Sequence, residues 1–206
     1  MTSAWMAAMA MAVAVAISAG AAPEAVSVPS TAEAATLARV RLETTLGTID
    51  VEIDTARAPV TAANFLGYVR RGDYVGGRFH RTVRPGNQPA NKVLIDVVQA
   101  GRDPDADRAD LPPIPLERTS VTGLRHVDGA LSMARDGPDT ATSDFFICVG
   151  DQPELDFGGR RNSDGQGFAV FGRVVAGMDV VRRIHAAPAD GQSLAPPIAI
   201  RTAAVR

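Results

Sequence analysis

The most informative part of the chain is a pair of neighbouring stretches, Gly-Ala-Leu-Ser-Met-Ala-Arg at positions 129–135 and Ser-Asp-Phe-Phe-Ile-Cys at positions 143–148. Each is a short apolar run bounded by glycine, proline or polar residues, a pattern typical of strands with at least one buried face. We therefore predict strands over Gly129–Ala134 and Ser143–Val149. Similar runs predict four further strands: Arg78–Val83, Lys92–Gln99, Phe168–Val175 and Pro197–Val205.

The segment before these strands alternates apolar and polar residues in two runs, Ala38–Thr44 and Thr48–Asp54, around a glycine-containing turn. This period of two predicts a β-hairpin. Helical spacing begins at Pro59 and stops at Gly72, and a second, shorter helix is predicted over Met178–His185. The chain is therefore expected to be mainly β, a closed eight-stranded antiparallel barrel capped by two α-helices, because closure removes exposed sheet edges. The hairpin residues predicted to face its core are Val40, Leu42, Ile49, Val51 and Ile53.

The composition excludes several classes of protein. The 206 residues carry a formal net charge of −2, without the basic excess of a nucleic-acid-binding domain, so no nucleic-acid partner is expected. No two of the three histidines share the spacing of metal ligands, and neither a metal nor another cofactor is expected. The single cysteine, Cys148, lies in an apolar run and is predicted to be a buried small hydrophobe rather than a nucleophile. With no heptad or apolar stripe to favour assembly, we expect a monomer.

Residues 1–22 differ in composition from the rest of the chain. Positions 4–17 hold only Ala, Met, Val, Ile and Trp, a run too short for a spanning helix, and a small-residue cleavage site follows at 19–21. We predict a signal peptide over 1–22, a flexible spacer over 23–36 and one folded domain over 37–206. Export to the periplasm or beyond follows, without stable membrane insertion once the leader is removed. Because no lysine or arginine lies near the start, the alternatives are a disordered alanine-rich tail or an amphipathic cap on the domain.

Six motifs occur in order along the chain: P-V-T-A-A-N-F at 59–65, F-H-R at 79–81, Q-A-G at 99–101, L-S-M-A at 131–134, S-D-F-F-I at 143–147 and V-F-G-R-V at 170–174. In these motifs the chain resembles the cyclophilin family of peptidyl-prolyl cis–trans isomerases, over roughly Arg39 to Val205. It is closest in character to the exported bacterial members. The resemblance implies a peptidylprolyl isomerase that acts on X–Pro bonds of proline-containing polypeptides during the folding of exported proteins.

The chemistry of that reaction explains why an arginine is needed. Rotation about an X–Pro bond crosses a barrier of ~18–20 kcal/mol that amide resonance sets, and no nucleophile or metal is required to lower it. In the twisted state the prolyl nitrogen regains its lone pair and can accept a hydrogen bond, which a permanently charged, rigid guanidinium can donate. The match to F-H-R makes Arg81 the candidate for this donor, although a strand arginine taken alone would more often pair with a surface acid.

The resemblance also implies a set of substrate-binding residues. Phe146 would form the aromatic floor of a proline slot, while its neighbour Phe145 would belong to the core, since adjacent residues of a strand face opposite sides. The remaining residues matched to the family's binding surface are Val97, Gln99, Ala134, Arg135, Leu155 and Phe168. Of these, Gln99 would hold the substrate backbone and brace the arginine. Ala134 and Arg135 would lie along the bound peptide, mainly through backbone groups.

Several positions depart from the family pattern. Asp144 replaces the usual Gln, and Ala100 replaces the first Gly of Q-G-G. Glu154 stands where eukaryotic members carry Trp, Phe168 replaces a common His, and Asp96 with Val97 replaces a Phe-Met pair. These departures leave a second function open, a proline-peptide binding module or holdase chaperone with little turnover. Intact Arg81, Gln99 and Phe146 favour the enzyme.

Overall fold

The computed structural model describes residues 37–206, and these form an antiparallel barrel. The strands are β1 (Leu37–Thr44), β2 (Gly47–Asp54), β3 (Arg78–Val83), β4 (Val97–Gly101), β5 (Ala130–Met133), β6 (Phe145–Cys148), β7 (Ala169–Ala176), β8 (Ala189–Asp190) and β9 (Ser193–Val205). The helices are α1 (Pro59–Arg71), α2 (Thr119–Thr122) and α3 (Met178–Ala186). The predicted signal peptide and spacer lie outside the described residues.

Eight strands close the barrel in the order β1-β2-β7-β5-β6-β4-β3-β9, and β9 pairs with β1 to complete the circle. Every pairing is antiparallel, and the two-residue β8 adds only a short hairpin to β9. The prediction of a closed eight-stranded antiparallel barrel is therefore confirmed. Closure leaves no long unpaired edge among these eight strands, which is why so many short strands form one stable sheet.

The interior of the barrel is filled by side chains. All five hairpin residues predicted to face the core are at most 1% exposed. Phe65 of α1 packs against Tyr74, Phe145 and Phe171 with ring centroids 5.1–5.3 Å apart, so an aromatic cluster joins the longest helix to β6 and β7. Because this packing leaves no room for a ligand inside the barrel, a binding surface must lie on its outer wall.

The two longer helices begin and end close to their predicted bounds. In α1, Pro59 occupies the first turn, where its missing N–H is no loss, and Gly72 ends the helix with a φ of 74° that favours glycine. Helix α3 buries Val181 and Ile184 against the barrel. The prediction of two helices was incomplete, because the four-residue α2 is too short to show helical periodicity.

The strand predicted over Lys92–Gln99 begins only at Val97. The reason is Gln88, whose buried side chain donates from Nε2 to the Ile95 carbonyl (2.7 Å) and accepts at Oε1 from the Ile95 N–H (3.3 Å). A side-chain amide thus satisfies the backbone groups that a neighbouring strand would otherwise pair. Residues 84–96 consequently form a loop that returns to the outer wall of the barrel.

Candidate active site

A bulge in β3 turns Arg81 to the outside of the barrel. Phe79 pairs with Ala100 and Arg81 pairs with Gln99, the adjacent residue of β4, so His80 has no partner in this register. With strict alternation, Phe79 and Arg81 would share one face. The extra residue instead leaves Phe79 fully buried in the core and presents Arg81 to a cleft on the outer wall. Bulges of this kind commonly re-aim a side chain beside an active site.

Two glutamine side chains hold the guanidinium of Arg81. Its Nε and Nη2 donate to Gln192 Oε1 at 2.9 and 2.6 Å, and its Nη1 donates to Gln99 Oε1 at 3.0 Å. Gln99 is held in turn, because its Nε2 donates to Asp144 Oδ2 at 2.9 Å. Burial lowers the pKa of Arg81 from its ordinary value, yet an arginine stays charged at neutral pH. The cleft therefore contains an oriented cation whose immediate partners are neutral amides.

Beside Arg81 the cleft has an apolar floor. Phe146 of β6 meets the ring of Phe168 edge to face, with centroids 5.3 Å apart, and Leu155 and Val97 pack in the same cluster. This cluster is separate from the barrel interior, where Phe145 lies. The two adjacent phenylalanines thus serve opposite sides of one strand, as the alternation predicts. A slot of this size and polarity suits a small apolar ring.

The structure brings all eight predicted site residues together around one cleft of about 390 Å³. They come from different parts of the chain, Arg81 from β3, Val97 and Gln99 from β4, Phe146 from β6, and the others from adjoining loops. The further residues that line the cleft are Ile95, Asp136, Thr140, Thr142, Asp144, Arg161 and Asn162. The cleft therefore combines an apolar floor with a polar rim, as a site for a peptide backbone requires.

The side chain of Arg135 forms hydrogen bonds and an ion pair with other residues of the protein. It is only 1% exposed, donates from Nε and Nη2 to the Gly167 carbonyl at 2.9 and 2.6 Å, and forms an ion pair with Asp164 at 2.8 Å. Its guanidinium carbon lies 5.1 Å from the centroid of the Phe168 ring. Arg135 thus supports one wall of the slot from behind, which the sequence did not indicate.

Two of the three acidic departures from the family pattern, Glu154 and Asp96, point away from the cleft, whereas the third, Asp144, lines it. The Glu154 carboxylate pairs with Arg160, and Asp96 Oδ1 lies 3.3 Å from His185 Nε2. Burial raises the pKa of Asp96, and the nearby His185 opposes that shift. Neither Glu154 nor Asp96 lines the cleft, so its apolar floor is free of both charges.

A buried Ser–His–Asp hydrogen-bond chain lies behind the slot, and no motif or spacing in the sequence indicated it. His126 Nδ1 lies 2.8 Å from Asp156 Oδ1, His126 Nε2 lies 2.9 Å from Ser132 Oγ, and the imidazole stacks on Phe146 at 5.9 Å. Burial lowers the pKa of His126 from its ordinary 6.5, so the ring is neutral at pH 7, donating to Asp156 and accepting from Ser132. Ser132 is fully buried, so the chain cannot act on a substrate, and its place is structural.

Sequence reasoning also missed three loop residues: Arg161, which lines the cleft, Gln192, which contacts Arg81, and Asn87, which contacts Gln192. Arg161 Nη1 donates to Gln88 Oε1 and to the Val93 carbonyl at 2.8 and 2.7 Å, which ties the loop after Leu155 to the loop before β4. None of these residues belongs to a periodic run or a short motif. Only the folded arrangement of the loops reveals them.

A metal-ligand cluster and an exposed cysteine are both absent among residues 37–206. Among residues 37–206, no three His, Cys, Asp or Glu side chains lie together where they could hold a metal ion. Over the same residues, no helix is both long and apolar enough to span a bilayer. Cys148 is buried, and burial strongly raises the pKa of its thiol, which suppresses the reactive thiolate.

The structure is thus a closed barrel with a filled interior that carries, on its outer wall, an apolar slot beside an arginine held by two amides. Comparison with known proteins identifies the class. The model of the family described as cyclophilin type peptidyl-prolyl cis-trans isomerase/CLD matches residues 39–205. The chain therefore belongs to the cyclophilin-type peptidyl-prolyl cis–trans isomerases and is an enzyme of that activity, which acts on proline-containing peptides.

Curated relatives are similar to most of the chain. Peptidyl-prolyl cis-trans isomerase A of Dickeya dadantii is 38% identical over 152 residues, which cover 73% of each chain. Peptidyl-prolyl cis-trans isomerase B of Escherichia coli is 36% identical over 146 residues, 70% of this chain and 82% of that one. Among solved structures, a cyclophilin-type isomerase of Cryptosporidium parvum superposes with a TM-score of 0.67 at 21% identity, over 82% of this chain and 98% of that chain. This last likeness supports the fold.

Proposed function

We propose that this enzyme accelerates X–Pro rotation by donating a hydrogen bond from Arg81 to the twisted prolyl nitrogen, while the proline ring rests on Phe146. The observation that carries the proposal is the position of the Arg81 guanidinium, held by two amides at the edge of the slot that Phe146, Leu155 and Phe168 form. Gln99 and the backbone at Ala134 and Arg135 would hold the peptide on either side.

The acceleration follows from a difference between states. In the planar cis and trans forms the prolyl nitrogen shares its lone pair with the carbonyl and is a poor acceptor. In the twisted form the lone pair returns to nitrogen, so a donor held beside it stabilises only the transition state, and the rate rises without tighter binding of either planar form. Because the guanidinium is already oriented, little reorganisation is needed when the bond twists.

The second candidate is a proline-peptide binding module or holdase with little turnover. One observation favours it: Val97 forms a wall of the slot where a larger side chain is usual in the family, so the grip on the proline ring is weaker. Against it stands the orientation of Asp96 and Glu154, whose carboxylates pair outside the cleft. We favour the enzyme with measurable turnover.

The proposed place of action is the bacterial periplasm or the medium, on exported proteins. The support is the apolar run at positions 4–17 and the bacterial origin of the relatives from Dickeya dadantii and Escherichia coli. The mature protein would be a monomer with no nucleic-acid partner and no stable insertion in the membrane. Mass spectrometry of the protein recovered from a periplasmic fraction would test cleavage near residue 22, and light scattering would test the oligomeric state.

The test of the mechanism compares the purified protein with Arg81→Ala and Arg81→Lys by exchange NMR on short X–Pro peptides. Loss of the donor should slow the bound-state rotation by about 100-fold, as removal of one preorganised donor does in other enzymes. Lysine should recover only part of the rate, because its ammonium lacks the planar fork. Rotation that is unchanged in Arg81→Ala would refute the mechanism, and binding without acceleration in the unmodified protein would establish the binding module.

A further inference from the structure

The guanidinium of Arg81 has more partners than the reaction requires, and the closest one comes from outside the sheet. Gln192 Oε1 accepts from both Nε and Nη2, at 2.9 and 2.6 Å, whereas Gln99 accepts only from Nη1. An arginine has five N–H donors in one plane. Three are engaged by these two amides, which leaves one N–H on each terminal nitrogen for a ligand. Gln192 therefore defines which edge of the plane is free.

Both the backbone and the side chain of Gln192 are held by hydrogen bonds. It lies in the tight turn between β8 and β9, and its backbone carbonyl accepts from the Thr82 N–H at 2.9 Å, one residue from Arg81. Its side-chain Nε2 donates to the Asn87 carbonyl at 3.1 Å. Because the Nε2 end is committed to a carbonyl, the Oε1 end must face Arg81, and the amide has only one satisfied orientation.

Asn87 holds the turn that contains Gln192 in place. Its Nδ2 donates to the carbonyls of Thr82 and Gly191, each at 2.9 Å, and its Oδ1 accepts from the Arg84 N–H at 2.7 Å. One side chain thus joins the end of β3, the loop that follows it and the β8–β9 turn. The loop at 84–96 consequently reaches the reacting group through two amides, Asn87 and Gln192.

We propose that Gln192, oriented by Asn87, is a positioning residue that sets the plane of the Arg81 guanidinium for donation to the twisted amide; this rests on the donor role given to Arg81 above. A long side chain on an open wall would otherwise sample several rotamers, and only a minority of them would place an N–H beside the prolyl nitrogen. A neutral amide suits the task, because it orients the cation without neutralising the charge that the transition state uses.

The chain offers a matched control for this role. Gln166 also accepts from an arginine Nε, that of Arg118 at 2.6 Å, but it is not among the residues that line the cleft. Gln192→Met and Gln166→Met therefore make the same chemical change, the loss of an amide that binds an arginine, at two places. Of the two glutamines, only Gln192 contacts Arg81, the proposed donor.

The experiment measures kcat and KM by exchange NMR over a range of X–Pro peptide concentrations that extends to saturation, for the full chain and both variants. Gln192→Met should lower kcat roughly tenfold with KM within about twofold, since misplacement of a catalytic group affects the chemical step. It should also shift the Arg81 Nε–H resonance toward that of a solvated arginine and speed its exchange with water. Gln166→Met should leave kcat within about twofold of the parent.

A double-variant cycle separates positioning from a general structural effect. In the Arg81→Ala background, Gln192→Met should change kcat by less than about twofold, because its partner is gone. A kcat for Gln192→Met equal to that of Gln166→Met, or an equal loss in the presence and absence of Arg81, would overturn the positioning role. If Arg81→Ala alone keeps full activity, the donor mechanism itself fails, and that result is distinct from either of these.

Discussion

Removal of the Arg135 side chain should destabilise the protein far more than its place at the rim of a cleft suggests. The guanidinium is 1% exposed and supplies both hydrogen bonds to the Gly167 carbonyl, at 2.9 and 2.6 Å. A hydrogen bond from a charged group contributes about 1.5–3 kcal/mol net, and the cation over the Phe168 ring adds roughly 0.5–1 kcal/mol. Because the contacts share one side chain, we expect a loss of about 3 kcal/mol for Arg135→Ala.

For a domain of this size such a loss corresponds to a fall of about 6–12 °C in the unfolding midpoint. Thermal unfolding followed by circular dichroism measures it, with Arg160→Ala as the control, because Arg160 is 75% exposed and its pair with Glu154 is open to solvent. The control should leave the midpoint within about 2 °C. KM for an X–Pro peptide should rise in Arg135→Ala alone, since Phe168 loses its support. Midpoints that agree for the two variants would refute the reasoning.

Three further outcomes are expected. Because the pKa of His126 is lowered from 6.5 by burial, the unfolded chain takes up a proton that the folded protein excludes, so the unfolding midpoint should fall as the pH drops below about 6.5. That fall should be shallower in His126→Phe, and equal slopes between pH 7.5 and 5 would contradict the assignment. Cys148 should resist a thiol reagent at pH 8 in the native protein and react once it is unfolded, because burial raises its pKa; rapid native labelling would show an open route to β6. Asp144→Leu should lower kcat severalfold in exchange NMR, because the Gln99 amide loses its hydrogen-bond acceptor and can rotate. Asp144→Asn keeps an acceptor and should retain most of the parent kcat. Identical rates for the two variants would show that Gln99 is held by other contacts.

The sequence predicted the barrel because its local signals agree with one another. Alternation in the first hairpin, Pro59 at the start of α1 and Gly72 at its end each reflect a constraint that acts within a few residues. The local structure that these constraints favour is kept in the folded protein when tertiary contacts favour the same structure. The eight predicted site residues meet in one cleft for the same reason, since most lie on or next to strands whose neighbours the family motifs place in order.

The parts that could not be predicted depend on contacts between distant segments. The Gln88 side chain forms hydrogen bonds with the backbone N–H and carbonyl of Ile95. No local feature of the sequence distinguishes that loop from a strand. Gln192 meets Arg81 across 111 positions of sequence, and His126 meets Asp156 across 30. A polar residue in a loop has many potential partners, and sequence spacing alone does not select among them.

The bulge in β3 lets Phe79 and Arg81 face opposite sides of the sheet although they are two positions apart in the sequence. Phe79 and Arg81 pair with adjacent residues of β4, Ala100 and Gln99, and His80 lies between them without a partner in this register. The His80 side chain is 37% exposed, and its nearest ionic approach is 3.5 Å to Asp144. Deletion of His80 would make Phe79 and Arg81 neighbours in sequence, and strict alternation would then place them on opposite faces without a bulge.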